Sequence, residues 1–455
     1  MIFVGLIAGL CAILLAGFGV TLLLMRGATQ INLLECAALS WLFGSGVISL
    51  LLWGGGMLVS GSLLQVLTAV IAVAVGAWGF ASARQDGVRF SLPRPQSALQ
   101  WILCAAVACE VVTIFYLSFG RGLDWDGFLN WEIKARYAFQ NGGVIPAAYY
   151  SSETRVFTHP GYPLLIPLTE LWLYLCMGEA HQLSIKIIFP SYYAAGAILL
   201  ATTANRLTSQ SWPGLLATAL LFFVPFVTQA PGGATGGYVD APLSFLYLAT
   251  VAYLVVYTVN YDPRAWRIYA ISLALLPWAK REGAILWAVA ALCGAMIICR
   301  QRRWSSLLWL APGVILMASW KIFLLAMKTA DTRDFVPMTL VAFQQNLSRV
   351  LPICRLVFAE MLNTTRWSLF WPIALLAFVS LLIRSRDRRW PLLFIAVAAP
   401  IGLYAATYLF SAWPDFSEHF GSSFSRLLLH VMPVAWLPIA IAMASPPSPL
   451  QNLRD

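Results

Sequence analysis

The chain has 455 residues, of which 60% are hydrophobic and only 11% charged, with a formal net charge of +10. Soluble domains carry roughly 25% charged residues, so this composition, at a mean hydropathy of +0.77, excludes a water-soluble globular protein. Repeated apolar runs of about 20 residues satisfy their backbone in lipid only as helices, whereas barrels read as short alternating strands, so the expected fold is an all-α polytopic bundle.

The first run, near 2 to 25, has no positive segment before it and is followed by Arg26, which fits a transmembrane helix better than a signal peptide. Runs near 32 to 54, 62 to 83 and 99 to 118 continue an N-terminal membrane unit over 1–118. A polar stretch then breaks the pattern, and 119–182 forms an acidic loop followed by a short apolar segment at 163 to 178. Pro160, Pro163 and Pro167 open that segment, which is only about 16 residues long, so a re-entrant or interfacial helix suits it better than a crossing. A C-terminal membrane unit, 183–455, holds nine further runs near 183 to 204, 213 to 229, 242 to 259, 267 to 279, 284 to 299, 305 to 327, 367 to 383, 390 to 410 and 426 to 444, with outer loops near 328–366 and 411–426.

The arginine-rich connectors Arg300/Arg302/Arg303 and Arg384/Arg386/Arg388/Arg389 go to the cytoplasm by the positive-inside rule. Counting from them gives about 13 spans with the N-terminus outside. The acidic loop, the 280 to 282 turn and the loops 328–366 and 411–426 then all face the extracytoplasmic side, as do all five lysines, 134, 186, 280, 321 and 328. Lysines on that side run against the usual bias and point to anion binding. The arginines are scattered through connectors rather than gathered on a soluble face, which argues against nucleic acid and for membrane lipids as partners. The eight cysteines show neither zinc spacing nor a disulfide framework and read as buried thiols.

Within the loop, Asp124 and Asp126 flank Trp125. Carboxylates so placed serve as a general base toward a hydroxyl or share a divalent cation, Mg or Mn; the plainer alternative is capping a loop helix or pairing with Arg121 and Arg136. Glu132 and Arg136, four apart, match an ordinary helix-surface pair. His159 opens the run His159-Pro160-Gly161-Tyr162-Pro163, whose rigid backbone holds an imidazole at the membrane boundary, although lone loop histidines are commonly structural. Residues 231 to 240 are glycine-rich but lack the lysine and preceding strand of a nucleotide loop; the readings left are a plain linker or a mobile turn presenting Tyr238 and Asp240. Lys280-Arg281-Glu282-Gly283 sets three charges inside an apolar stretch, either as an exposed turn or as a phosphate clamp. His419 and Arg426 break the pattern again near the last run, where Arg426 either meets a lipid phosphate or snorkels.

In order and side, these features resemble the C-type (GT-C) membrane glycosyltransferase superfamily, with enzymes such as lipid A aminoarabinose transferases and protein O-mannosyltransferases. Asp124/Asp126 with Glu132 match the acidic motif of the first large outer loop, His159 to Leu164 the proline-rich re-entry, and Lys280 to Gly283 the later basic motif. About four spans precede the acidic loop here, where the family usually has one, and Gly127 stands where a second acid is often found. The resemblance implies an integral protein of a bacterial inner (plasma) membrane that transfers a sugar from a polyprenyl-phosphate donor to a glycan, lipid or protein hydroxyl on the extracytoplasmic face. It implies Asp126, then Asp124, as base, and Lys280, Arg281 and Arg426 on the donor phosphate. Glu132, Arg136, His159, Tyr162, Tyr238, Asp240, Glu282 and His419 remain as substrate contacts, and inversion is expected because no second nucleophile is evident. The competing expectations are a flippase or transporter of lipid-linked glycans, or a glycan polymerase or ligase.

Overall fold

In the computed structural model, residues 2–332, 334–384 and 389–444 are described; Arg333, Arg386 and Arg388 of the expected loops lie outside them. The protein is an all-α integral membrane bundle, with ten helices among the described residues long and apolar enough to cross a bilayer, from Ile2–Leu24 to Phe416–Met443. The crossings expected near 213 to 229, 267 to 279 and 367 to 383 correspond to shorter helices, Ser211–Leu221, Pro263–Ala279 and Phe370–Arg384. The first stops early because Pro225, lacking an N–H, cannot continue it; the chain turns and resumes as the one-turn helix Pro225–Thr228. Among the described residues, strand structure is limited to a parallel pair of three-residue strands, Gln30–Asn32 with Arg89–Ser91, and an isolated antiparallel bridge between Phe335 and Ser411.

Polar residues set the helix starts. The Asn32 side chain accepts from the backbone of Leu34 and Glu35, Ser97 from Gln100, and Asp262 from Arg264 with Pro263 at the first helical position. The Asp240–Asn260 helix lies at the centre, 89% of its apolar window buried against Ile188–Thr208, Pro263–Ala279 and Phe416–Met443. Trp304–Ala326, only 11% buried, is the outermost. The first two helices approach backbone to backbone, since a Cβ at Gly17 would collide with the Ser40 carbonyl. Without a hydrophobic drive between helices in lipid, such small-residue contacts supply the packing.

The bundle has two unlike ends. At one, arginines tie connectors together: Arg264 donates to Gly27 O (3.4 Å), Arg267 to Arg26 O (3.2 Å), Arg384 to Ala442 O (3.2 Å) and Arg389 to Leu207 O (3.0 Å). The acidic loop, the glycine-rich loop and the 280 to 282 turn gather at the other. The Leu165–Met177 helix, 13 residues long, stays near that second end. Its start lines a cleft with Gly56 and Met57, and Gln65 near the start of Gly61–Gln85 donates to Leu175 O (2.9 Å). The expectation of uniformly buried thiols fails: the eight cysteines are free, and Cys11, Cys109 and Cys354 are exposed on outer helix faces.

Candidate functional site

The floor of the site is a buried charge cluster. Asp240 opens the central helix at 1% exposure, and its Oδ1 accepts from Lys280 Nζ (2.7 Å) and His430 Nε2 (2.8 Å). Lys280 also pairs with Glu282 Oε1 (3.3 Å). With Nε2–H given to Asp240, His430 turns Nδ1 to the Tyr404 hydroxyl (3.2 Å), which also lies 3.2 Å from the Glu282 carbonyl. Burial disfavours the Lys280 ammonium, but the Asp240 and Glu282 carboxylates outweigh it and hold its pKa above the ordinary lysine value. Glu282 shows the counterpart: burial raises it, and Lys280 brings it below the usual carboxylate value.

One wall comes from the acidic loop and the last helix. Asp126 caps a π-helical turn, Gly127–Glu132, a form enriched at functional sites, and pairs with Arg426. The Arg426 guanidinium lies over the Tyr238 ring at 5.5 Å, and burial pushes the Tyr238 hydroxyl up to about 12. Asp124 is held differently, its N–H donating to Gly236 O (3.0 Å) and its carboxylate lying 3.9 Å from Arg121. A Cβ at Gly236 would collide with the Pro231 carbonyl, so only glycine lets this loop close over Asp124. The expectation of a mobile turn presenting Tyr238 and Asp240 is therefore corrected: residues 232 to 240 are buried because they form this wall.

The facing wall is aromatic. Tyr162 stacks between His159 (4.7 Å, 18°) and Trp131 (5.4 Å, 29°). His159 takes a left-handed backbone (φ 46°), turning the chain into the His159 to Pro163 run. Burial first, then Lys134, lowers the His159 pKa, while burial with Glu282 beside it puts Tyr162 well above the tyrosine value. Lys134 is fully buried behind this wall, donating to Asn130 O and to Thr158 O (2.9 Å). Burial lowers its pKa to about 7 against the pull of Glu170 and Asp126.

The structure thus brings Asp126, Tyr162, Tyr238, Asp240, Lys280, Glu282 and Arg426 together, with Asp124 and His159 at the edges. It separates two residues that the sequence treated as one clamp. Lys280 has an extended backbone (φ −154°, ψ 155°), so successive side chains leave on opposite sides; Lys280 points into the cluster, and Arg281 points out to Asp331 (3.5 Å). Glu132 and Arg136 pair at 2.6 Å, with Tyr174 also donating to Glu132 (2.6 Å), behind the wall rather than in it. His419 joins a separate clasp, bonded to Ser411 (2.9 Å) and stacked on Trp413 (4.8 Å). Sequence reasoning missed His430 and Tyr404. His430 was findable, since it follows Arg426 by four residues on one helix face.

The arrangement leaves acceptors without donors. Among the described residues, Asp240 Oδ2 and Glu282 Oε2 are buried with no protein hydrogen-bond partner, and Asp124 Oδ2 has only its 3.9 Å ion pair with Arg121, a costly condition unless a ligand or water brings hydroxyl or N–H groups. The other end differs. A cleft of about 340 Å³ there holds Glu35, but both its oxygens are bonded, by Arg206 and Tyr253. Among the described residues no group of three or more His, Cys, Asp or Glu side chains could hold a metal ion, and Asp124 and Asp126 engage different arginines. Comparison of the chain with protein-family models, curated proteins and solved structures finds no match.

Proposed function

We propose that this protein is a GT-C-type membrane glycosyltransferase. It crosses the membrane thirteen times with the N-terminus outside, dips the Leu165–Met177 helix into the outer leaflet, and transfers a sugar from a polyprenyl-phosphate donor to a hydroxyl on a glycan, lipid or protein. One observation carries this reading: buried carboxylate oxygens without donors surround the Asp126–Arg426 pair at the end of the bundle opposite its arginine connectors. Acceptors of this kind are matched by a ligand rich in hydroxyls, and the setting within a lipid-exposed bundle is matched by a lipid-linked one.

In the reaction, Asp126 takes the proton of the acceptor hydroxyl as that oxygen bonds to the anomeric carbon. The bond from that carbon to the phosphate oxygen breaks, and its electron pair stays on the lipid phosphate. Developing charge on the phosphate draws on Arg426 and Arg281; Lys280, held by two carboxylates, fixes the floor. One base and no second nucleophile give inversion. The aromatic stack of His159, Tyr162 and Trp131 offers an apolar face to the sugar ring, and Trp125, 73% exposed between the two aspartates, offers one to the acceptor.

The test is sugar transfer by purified protein from radiolabelled polyprenyl-phosphate sugars to membrane extract. Wild type transfers label, with or without EDTA, and folded Asp126→Asn loses on the order of 10²–10⁴ in rate. Transfer by Asp126→Asn at the wild-type rate removes Asp126 as base. Failure with every donor, together with protein-dependent movement of lipid-linked sugar across proteoliposomes, replaces the transferase with a flippase.

A further inference from the structure

The reaction centre is too acidic to hold a phosphate by itself. Asp126, Asp240 and Glu282 supply three carboxylates against the two cations Lys280 and Arg426, and each cation is already paired. Positive charge in excess lies next door. A cleft of about 530 Å³ runs along the Trp304–Ala326 helix, the outermost of the bundle, and gathers Arg281, Lys321 and Lys328 against the single acid Asp331. Residues 321, 324 and 325 share one helix face and Lys328 follows just past the helix end, so Leu324 and Leu325 make an apolar strip between the lysines. Trp320 completes the strip and ties it to the site, its Nε1 donating to Gly161 O (3.2 Å). Gly161 and Pro163 line the cleft, while Tyr162 between them turns into the centre.

We infer that this cleft is the seat of the lipid phosphate, with Arg281, Lys321 and Lys328 on the phosphate and the prenyl chain laid along Trp320, Leu324 and Leu325, open sideways to the bilayer. The inference rests on the transferase reading for its choice of lipid, and it adds to Arg281 two lysines, Lys321 and Lys328, that no motif marked. Lysines near a helix end also snorkel to head groups, but snorkelling does not explain why Arg281, from another element, faces the same cleft. The charge surplus matches one species best. The donor is a phosphodiester with one negative charge, and the lipid left after transfer is a monoester with about −1.5 to −2 at pH 7. A cleft with two net positive charges therefore favours the leaving lipid, so binding strengthens as the reaction proceeds and the released carrier acts as a product inhibitor.

Binding without turnover tests this. Purified protein is titrated with polyprenyl monophosphate, with inorganic phosphate, and with phosphatidylglycerol nanodiscs, read by native mass spectrometry and intrinsic tryptophan fluorescence. Polyprenyl monophosphate binds, more tightly as pH rises through about 6. The double variant Lys321→Gln/Lys328→Gln weakens it at least tenfold, and both lysines are exposed enough to leave the fold intact. Unchanged affinity in the lysine double variant overturns the inference, as does equal binding of phosphatidylglycerol, and binding of inorganic phosphate alone reduces the cleft to an anion site. Lysine-dependent lipid binding by a protein that transfers no sugar keeps the cleft and removes the transferase.

Discussion

Replacing Asp240 by Asn keeps the shape of the floor and removes its charge. Lys280, 3% exposed, then keeps only Glu282 at 3.3 Å, and His430, fully buried, loses its carboxylate. Deleting one partner of a buried pair costs about 3–5 kcal/mol because the other charge is left uncompensated, whereas replacing both by apolar groups is commonly neutral. Asp240→Asn should therefore destabilise the protein by about that amount, and adding Lys280→Met should restore most of the loss, so the two single losses are far from additive. The 19 tryptophans make unfolding in detergent measurable by fluorescence. Domains of 150–250 residues lose roughly 2–4 °C per kcal/mol and larger ones less, so the single variant should melt on the order of 5 °C lower. The same pair of variants separates two roles for Lys280. If Lys280 is a floor strut, the double variant keeps sugar transfer within about tenfold; if it grips the donor phosphate, restored stability comes without activity. A loss below about 1 kcal/mol in Asp240→Asn, or additive losses in the double variant, would falsify the buried-pair account.

Two further outcomes follow from the same walls. The Lys134 pKa is lowered by burial to about 7, so between that value and the unfolded lysine pKa, about 10.4, the unfolded chain binds the extra proton and stability rises with pH. Unfolding of Lys134→Met measured from pH 7 to 10 should lack this rise; an unchanged difference between variant and wild type across the window refutes the burial of a neutral amine. Trp125→Ala removes an exposed ring and should leave stability within about 0.5 kcal/mol while raising KM for the acceptor several-fold at constant donor affinity. A change in donor KM instead would put Trp125 on the other substrate.

Much of the membrane architecture was legible because it follows from one-dimensional quantities. Apolar runs long enough to span and prolines that stop a helix are properties of consecutive residues, and the ten long helices fall where the runs were. The helix broken at Pro225 was merged into one run because hydropathy counts proline as a mild interruption, whereas the backbone treats it as a missing donor. The individual charges of the site were legible for a similar reason, since an ionisable residue in an apolar stretch is visible by contrast. Their partners were not. Asp126 and Arg426 are separated by 300 positions, and nothing local to either indicates the other. The opposed directions of Lys280 and Arg281 depend on one extended residue at a helix end, a detail below the reach of pattern, and that detail moved the inferred phosphate seat by a whole cleft.

The choice between the two loop aspartates rests on how each is held. Asp124 is fastened by backbone: its N–H is given to Gly236, and the glycine loop closes over its carboxylate. A base must meet a mobile acceptor and give up its proton afterwards, and a carboxylate roofed by packed backbone does neither readily. Asp126 is held by one side chain, and that pair keeps 24% and 19% exposure, so its exchange for substrate contacts needs no rearrangement of the fold. In that same position Arg426 lies over the Tyr238 ring, which would continue to hold it if the carboxylate were released. A sugar phosphate arriving from the side cleft would draw Arg426 toward itself and uncover the Asp126 carboxylate at the moment the donor is in place. If Asp126 is the base, as proposed, the pair would also be a safeguard: without donor, Arg426 keeps the carboxylate neutralised, and water reaching the site would find no free carboxylate to activate it.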